Sequence, residues 1–308
     1  MITWHETIES FKGYLTLEKA LSVHSVGAYL NDVNKLALYF TSAVPVVPPD
    51  EVTRPMLLAY LATLSDSGVN ARSQARSVSG IKAFFKYLVY DGKLQATPAE
   101  GLETPKCARP LPTVLSVEEI EAMINAVDLD KPEGQRDKAI IETLYSCGLR
   151  VSELSNLKLS NIHFRAGIIK VEGKGNKERF VPLNTKAKDE IRIYVNTARK
   201  ELPKNKKDED TLFLNRFGKK LSRVSVFNII KYLTLKAGIN KVVSPHTLRH
   251  SFASHLVNGG ADIRAVQDML GHESILTTEI YTHLDNAFLR DAIVNYHPRA
   301  KKKGKREK

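Results

Sequence analysis

The chain has 308 residues, 43% of them hydrophobic and 26% charged, with a formal net charge of +12. That length builds about two domains with real cores, and the composition excludes a disordered or fibrous chain. The charge is unevenly spread. Residues 1–106 balance 10 Lys/Arg against 10 Asp/Glu, whereas the last ten, RAKKKGKREK, carry 7 against 1. A polyanion is therefore the expected partner, nucleic acid before a membrane surface.

The opening MITWHETIES lacks a basic-then-apolar pattern, and no apolar run approaches the roughly 20 residues of a bilayer span. Neither a signal peptide nor a membrane anchor is expected. The two cysteines, Cys107 and Cys147, offer no disulfide framework and no zinc site, and they fit a reducing cytoplasm.

TWHE, from Thr3 to Glu6, has capping-box spacing and opens the first helix. A second helix is predicted over roughly 25–41, where Tyr29, Val33, Leu36 and Phe40 recur at helical intervals. A third starts near Pro55 and ends before Gly68. The fourth, from Asn70 to about Tyr90, gathers Val78, Ile81, Phe84, Phe85, Leu88 and Val89 on one side. Its other side carries Arg72, Arg76, Ser79, Lys82 and Lys86, residue types common in groove contacts. A solvated charged face is the alternative reading, against which stands the absence of any acidic residue among the five. ATPAEGLETPKCARPLP, with four prolines and no helical period, reads as a linker. The expected division is a helical domain over 1–95, a linker over 96–114, a second domain over 115–298 and a basic disordered tail over 299–308.

SVEE (Ser116 to Glu119) is a further capping box and opens the second domain. After its first helices, IHF, GIIKVEG and ERFVPL read as three short antiparallel strands, the last two joined by GKGNK. Helices resume from about Thr185, so the predicted fold class is mainly α with a small antiparallel β-sheet. In SPHTLRHSFASHL, Ser244 is a good N-cap and Pro245 suits the first helical position. His246 and Arg249 then project from one face beside a helix start, a place that suits phosphate. His250 and His255 are expected to be structural.

Glu153, three residues after Arg150, is spaced to orient that guanidinium. Lys174 sits at a hairpin tip, where its amine can reach outward or simply aid solubility. His272 and Tyr281 lie nine residues apart, on opposite sides of any continuous helix. A shared site needs a break between them, with Gly271 before the histidine and Ser274 as a fresh N-cap. Asp285 is expected to cap a last short helix bearing Phe288, Leu289, Ile293 and Val294. With little chain left to cover that face, it is expected to seek a groove elsewhere, with packing back on its own domain as the alternative.

Together GLRVSEL, GKGNKERFVPL, HTLRHSFASHL and LGHESILTTEIYTH resemble the boxes of the tyrosine recombinases, or phage-integrase-type recombinases, in the family's order and spacing. The similarity extends through the N-terminal helices, the proline-rich linker and NYHPRA. Within the family it is nearest the XerC/XerD site-specific recombinases, somewhat closer to the XerD branch. The second helix, SVHSVGAYLNDVNK, is less basic than is usual there, and the KKKGKREK extension lies outside the family core.

The resemblance implies an N-terminal core-binding (SAM-like) domain and a catalytic domain forming a C-shaped DNA clamp. It implies Tyr281 as nucleophile through a 3′-phosphotyrosine, and Arg150 and Arg249 as the phosphate clamp. Lys174 would be the acid for the leaving 5′ oxygen, His246 and His272 further phosphate contacts, and Glu153 an accessory carboxylate. Two arginines match the non-bridging oxygens bidentately, so neither a metal nor another cofactor is expected. The phosphotyrosine conserves bond energy, so rejoining needs no ATP.

The implied partners are a double-stranded DNA recombination site, a homo- or heterotetramer on two such sites, a second Xer-type recombinase and the FtsK DNA translocase. The implied role is chromosome-dimer resolution. Competing readings are an integrase or transposase of a mobile element, a non-catalytic DNA-binding relative, and a type IB topoisomerase. A metal nuclease is disfavoured because no carboxylate cluster accompanies the histidines.

Overall fold

The structure, a computed structural model, describes residues 2–105, 113–173, 177–203, 205–271 and 283–300, with the backbone alone for 283–287. The chain divides into two compact units, Met1–Pro110 and Leu111–Lys308.

The first unit is helical: α1 (Trp4–Leu17), α2 (Val23–Thr41), α3 (Arg54–Asp66) and α4 (Ala71–Tyr90). Each start has a local cause. The Thr3 hydroxyl accepts from the Glu6 N–H at 3.3 Å, although the Glu6 carboxylate takes the Thr3 hydroxyl rather than closing a full capping box. Ser22 and Asn70 cap α2 and α4 in the same way, and α3 opens with a proline in its first turn. The apolar faces meet in a core of Phe11, Val33, Leu36, Phe40, Leu57, Ile81, Phe84 and Leu88. Trp4 stacks on Phe40 and Phe84, and its indole N–H donates to the Val47 carbonyl at 2.9 Å. Ala99 and Leu102, inside the proline-rich stretch, are buried in that same core.

The second unit begins with α5 (Val117–Asn125), whose Ser116 and Glu119 form the expected capping box. It continues through α6 (Gly134–Cys147) and α7 (Val151–Asn156) to a three-stranded antiparallel sheet. The strands are β1 (Ile162–His163), β2 (Ile168–Glu172) and β3 (Glu178–Pro182), in the order β1-β2-β3 with Ile169 opposite Val181. Then come α8 (Thr185–Asn196), α9 (Arg223–Lys236), α10 (Pro245–Gly259), α11 (Ile263–Leu270) and α12 (His283–Tyr296). Every residue of α6 from Ala139 to Cys147 is buried, so this helix is the axis of the unit, flanked by α8 and α10. No helix among the described residues is long and apolar enough to cross a membrane.

The last helix departs from expectation. It begins at His283, so Asp285 lies within it rather than capping it. Leu289, Ala292 and Ile293 are buried in the unit's own core, against α10, α11 and β3. Chain that precedes the helix supplies the cover that the remaining chain could not. Phe288 and Val294 stay exposed. Beyond it, the buried Arg299 donates to both oxygens of the buried Glu142, with its Nε 3.0 Å from Oε2, and to Glu121 Oε1 at 3.0 Å. His297 packs between the rings of Tyr145 and Phe252.

Candidate active site

Helix α6 stops at Gly148, which adopts φ +57°. A side chain there is excluded twice, since a Cβ would stand 2.5 Å from Phe252 Cδ1. The reversal buries Leu149 and delivers Arg150, in extended conformation, to the N-cap of α7. Glu153, one turn on, closes that start by accepting the Arg150 backbone N–H at 2.8 Å.

The Glu153 carboxylate is then shared. Its Oε1 accepts from Arg150 Nη1 at 2.7 Å and from Arg179 Nη1 at 2.8 Å, while Oε2 accepts from Arg179 Nη2 at 2.9 Å. Arg249 Nη1 stands 4.0 Å from Oε2. Burial works to raise the Glu153 carboxyl, but the hydrogen bonds from Arg179 and Arg150 outweigh it and hold the group below the ordinary carboxylate value. Burial, with Arg150 next to it, lowers the Arg249 guanidinium to about 10, which leaves it charged at neutral pH. Three guanidiniums around one carboxylate leave an excess of positive charge, the electrostatics an oxyanion requires.

The same three arginines close the end of α11. Met269 O accepts from Arg179 Nε at 2.9 Å, Leu270 O from Arg249 Nη2 at 2.5 Å, and Gly271 O from Arg150 Nη2 at 3.2 Å. The last carbonyls of a helix have no partner within it and form the negative end of its dipole, so cations suit them. Arg249 also donates to Gly148 O at 2.7 Å. Gly271, at φ +64°, lets Arg179 approach, since a Cβ would lie 3.1 Å from its Cδ.

Helix α10 starts as its sequence implies, with Ser244 as N-cap, Pro245 in the first turn and Thr247 completing a reciprocal box. Arg249 points into the cluster and is 8% exposed, whereas His246 on the same helix is exposed. His250 is exposed, and His255 Nδ1 lies 2.7 Å from the Tyr145 hydroxyl. Arg150, Glu153 and Arg249 are thus brought together. Lys174, His272 and Tyr281, with Ser274, lie outside the described residues. Two described glycines flank them: Gly173 precedes Lys174 on the hairpin, and Gly271 precedes His272.

On α4, Arg72 and Lys86 are exposed and Lys82 is half-buried. Ser79 is exposed and donates to the Ala75 carbonyl. Arg76 is not free, because its Nη2 lies 2.9 Å from Oδ1 of the buried Asp32 on α2. Asp32 and Arg179 were not singled out from the sequence. For Arg179 the strand period held a signal, since it shares the inward face of β3 with Val181. An inward arginine needs a carboxylate partner.

Residues 113–287 match the phage integrase family, and residues 8–92 match the phage integrase N-terminal SAM-like domain. A protein named tyrosine recombinase XerD, from Listeria innocua serovar 6a, is 40% identical over 296 residues, covering 96% of this chain and all of the relative. Among solved structures, XerH site-specific recombinase bound to palindromic difH substrate superposes with a TM-score of 0.68 at 23% identity, over 92% of this chain and 83% of the other. The Tn1549 transposon integrase in complex with circular intermediate DNA gives 0.71 at 19% identity, over 89% and 93%. These likenesses establish a shared fold.

Proposed function

Because this chain belongs to the phage integrase family, we propose that it is a site-specific tyrosine recombinase that cuts and rejoins DNA through a 3′-phosphotyrosine. Relatives named XerD at about 40% identity over nearly the whole chain support chromosome-dimer resolution as its role. The observation that carries the chemistry is the pairing of Arg150 and Arg249 on Glu153 and on the carbonyls of α11.

In this reading the Tyr281 phenol oxygen attacks the scissile phosphorus and the bond to the 5′ oxygen breaks. Arg150 and Arg249 hold the two non-bridging oxygens as charge accumulates there. Lys174 gives its proton to the departing 5′ oxygen, and the phenol proton passes to His246 or His272. Rejoining reverses these steps, with a 5′ hydroxyl from another strand attacking the phosphotyrosine. Fixed guanidiniums serve in place of a metal, and the phosphotyrosine ester serves in place of ATP. The arc Arg72, Arg76, Ser79, Lys82 and Lys86 contacts the duplex. The protein works in the cytoplasm as a homo- or heterotetramer on two DNA sites, with a second Xer-type recombinase and the FtsK DNA translocase as partners.

Two variants test the assignment on a suicide DNA substrate. Tyr281→Phe should bind the DNA normally and give no covalent adduct; an adduct in that variant overturns the nucleophile. Lys174→Ala should slow cleavage by about 10²- to 10⁴-fold, the range for a lost general acid. A substrate with sulfur at the 5′ bridging position should restore most of that rate, and absence of rescue removes the acid role.

A further inference from the structure

Arg179 takes no step in the chemistry just described, yet it is built into the cluster more tightly than either phosphate-binding arginine. It is 7% exposed. All three of its guanidinium nitrogens are committed: Nη1 and Nη2 to the two oxygens of Glu153, and Nε to Met269 O. Its shaft fills the space that Gly271 leaves open, and its Nη1 would lie 3.7 Å from a Cβ on Gly173. Three of its five N–H donors are used in this way, all on protein oxygens.

What it touches is the feature of interest. Glu153 fixes Arg150 through both the backbone N–H and the side chain. Met269 and Gly271 end the helix that leads directly into His272. Glu178 and Arg179 open the strand that follows the hairpin bearing Lys174. A planar fork that reaches a carboxylate edge-on and a carbonyl at the same time fixes both in one plane. Lysine, a single point charge on a flexible stem, does not.

We infer that Arg179 is a positioning residue for strand cleavage: by locking Glu153 and the end of α11, it sets the guanidinium of Arg150 where the scissile phosphate will lie. This inference rests on the recombinase reading. Losing the lock lets Arg150 and Gly271 shift, and a misplacement of about 1 Å costs on the order of 10²-fold in rate.

A double-mutant cycle in the full-length chain tests it, reading the single-turnover rate of adduct formation on suicide DNA alongside DNA affinity and the melting curve. Arg179→Lys should form adduct about 10²-fold more slowly while binding DNA within about threefold of wild type. Because its effect runs through Arg150, Arg150→Lys combined with Arg179→Lys should be no slower than Arg150→Lys alone. A merely structural contribution would instead multiply the two losses, and that result overturns the inference. So does a wild-type rate in Arg179→Lys. If Arg179→Lys does not fold, Arg179→Gln, whose amide can still donate to Glu153, replaces it in the same cycle with the same criteria. A wild-type chain that forms no adduct overturns the recombinase reading itself, whereas adduct with a multiplicative cycle overturns the role of Arg179 alone.

Discussion

Two glycines bracket the cluster, and they differ in what surrounds the missing side chain. At Gly148 a Cβ meets the Phe252 ring at 2.5 Å, inside a packed core. Gly148→Ala should therefore cost about 1–3 kcal/mol from overpacking alone, read as a lower urea midpoint. At Gly271 the nearest atom belongs to the Arg179 side chain, at 3.1 Å. Gly271→Ala should cost less stability than Gly148→Ala, yet slow adduct formation more, because the guanidinium network has to give way. Glu153 offers a sharper electrostatic test. Glu153→Gln removes the carboxylate that separates Arg150, Arg179 and Arg249. Inorganic phosphate, by occupying the cluster, should then raise the melting temperature more in the variant than in wild type. Equal shifts would mean that phosphate binds elsewhere.

At the level of elements, local features were legible and long-range pairings were not. Strand alternation and glycine placement gave the three short strands, and Ser116 and Ser244 marked helix starts, because each depends on residues close in sequence. Arg150, Glu153 and Arg249 were readable as motif residues. The convergence of Arg150, Arg179 and Arg249 on the end of α11 was not, since the bonds from Arg150 to Gly271 and from Arg179 to Met269 join distant parts of the chain. The same holds for Asp32, whose carboxylate faces α4 from α2 and engages Arg76 and Ser77. Charge periodicity along α4 alone could not reveal that neighbour. It divides the basic arc into two kinds of residue. Arg72→Ala should lower the salt dependence of DNA binding by about one unit of slope with unchanged stability. Arg76→Ala should also lower the melting temperature, because it strands a buried carboxylate. Likewise, Leu289, Ala292 and Ile293 are buried within their own unit, and truncation after Asp285 would delete all three. That deletion should destabilise the second unit before it affects any contact between subunits.

Across the whole molecule, pH dependence follows from His297, a buried histidine packed against Tyr145 and Phe252. Burial, partly opposed by a hydrogen bond with the Tyr145 backbone, lowers the His297 imidazole to about 3. The unfolded chain takes up that proton near pH 6.5 and the folded chain does not. His297 therefore contributes stability that is fully present above about pH 6.5 and declines as the pH falls toward 3, by up to about 1.4 kcal/mol per pH unit. Urea unfolding at pH 7 and pH 5 should give a clearly smaller stability at pH 5. In His297→Gln that difference should shrink, and an undiminished difference would assign it to other groups.

The clip formed by Arg299 has a consequence for how the protein is made. The core of the first unit draws on residues from Trp4 to Leu102, so every group it buries has been synthesised before the second unit begins. The second unit buries Glu142 early in its sequence and neutralises it with Arg299, its partner 157 positions later. Until that arginine leaves the ribosome, closing the unit strands a carboxylate in its core, at a cost of several kcal/mol. Nascent chains arrested at residue 290 should accordingly show a protease-resistant first unit and a protease-sensitive second one. Release past residue 299 should convert both to the resistant form, so that the arginine cluster sits in a closed unit only once Arg299 is available to Glu142.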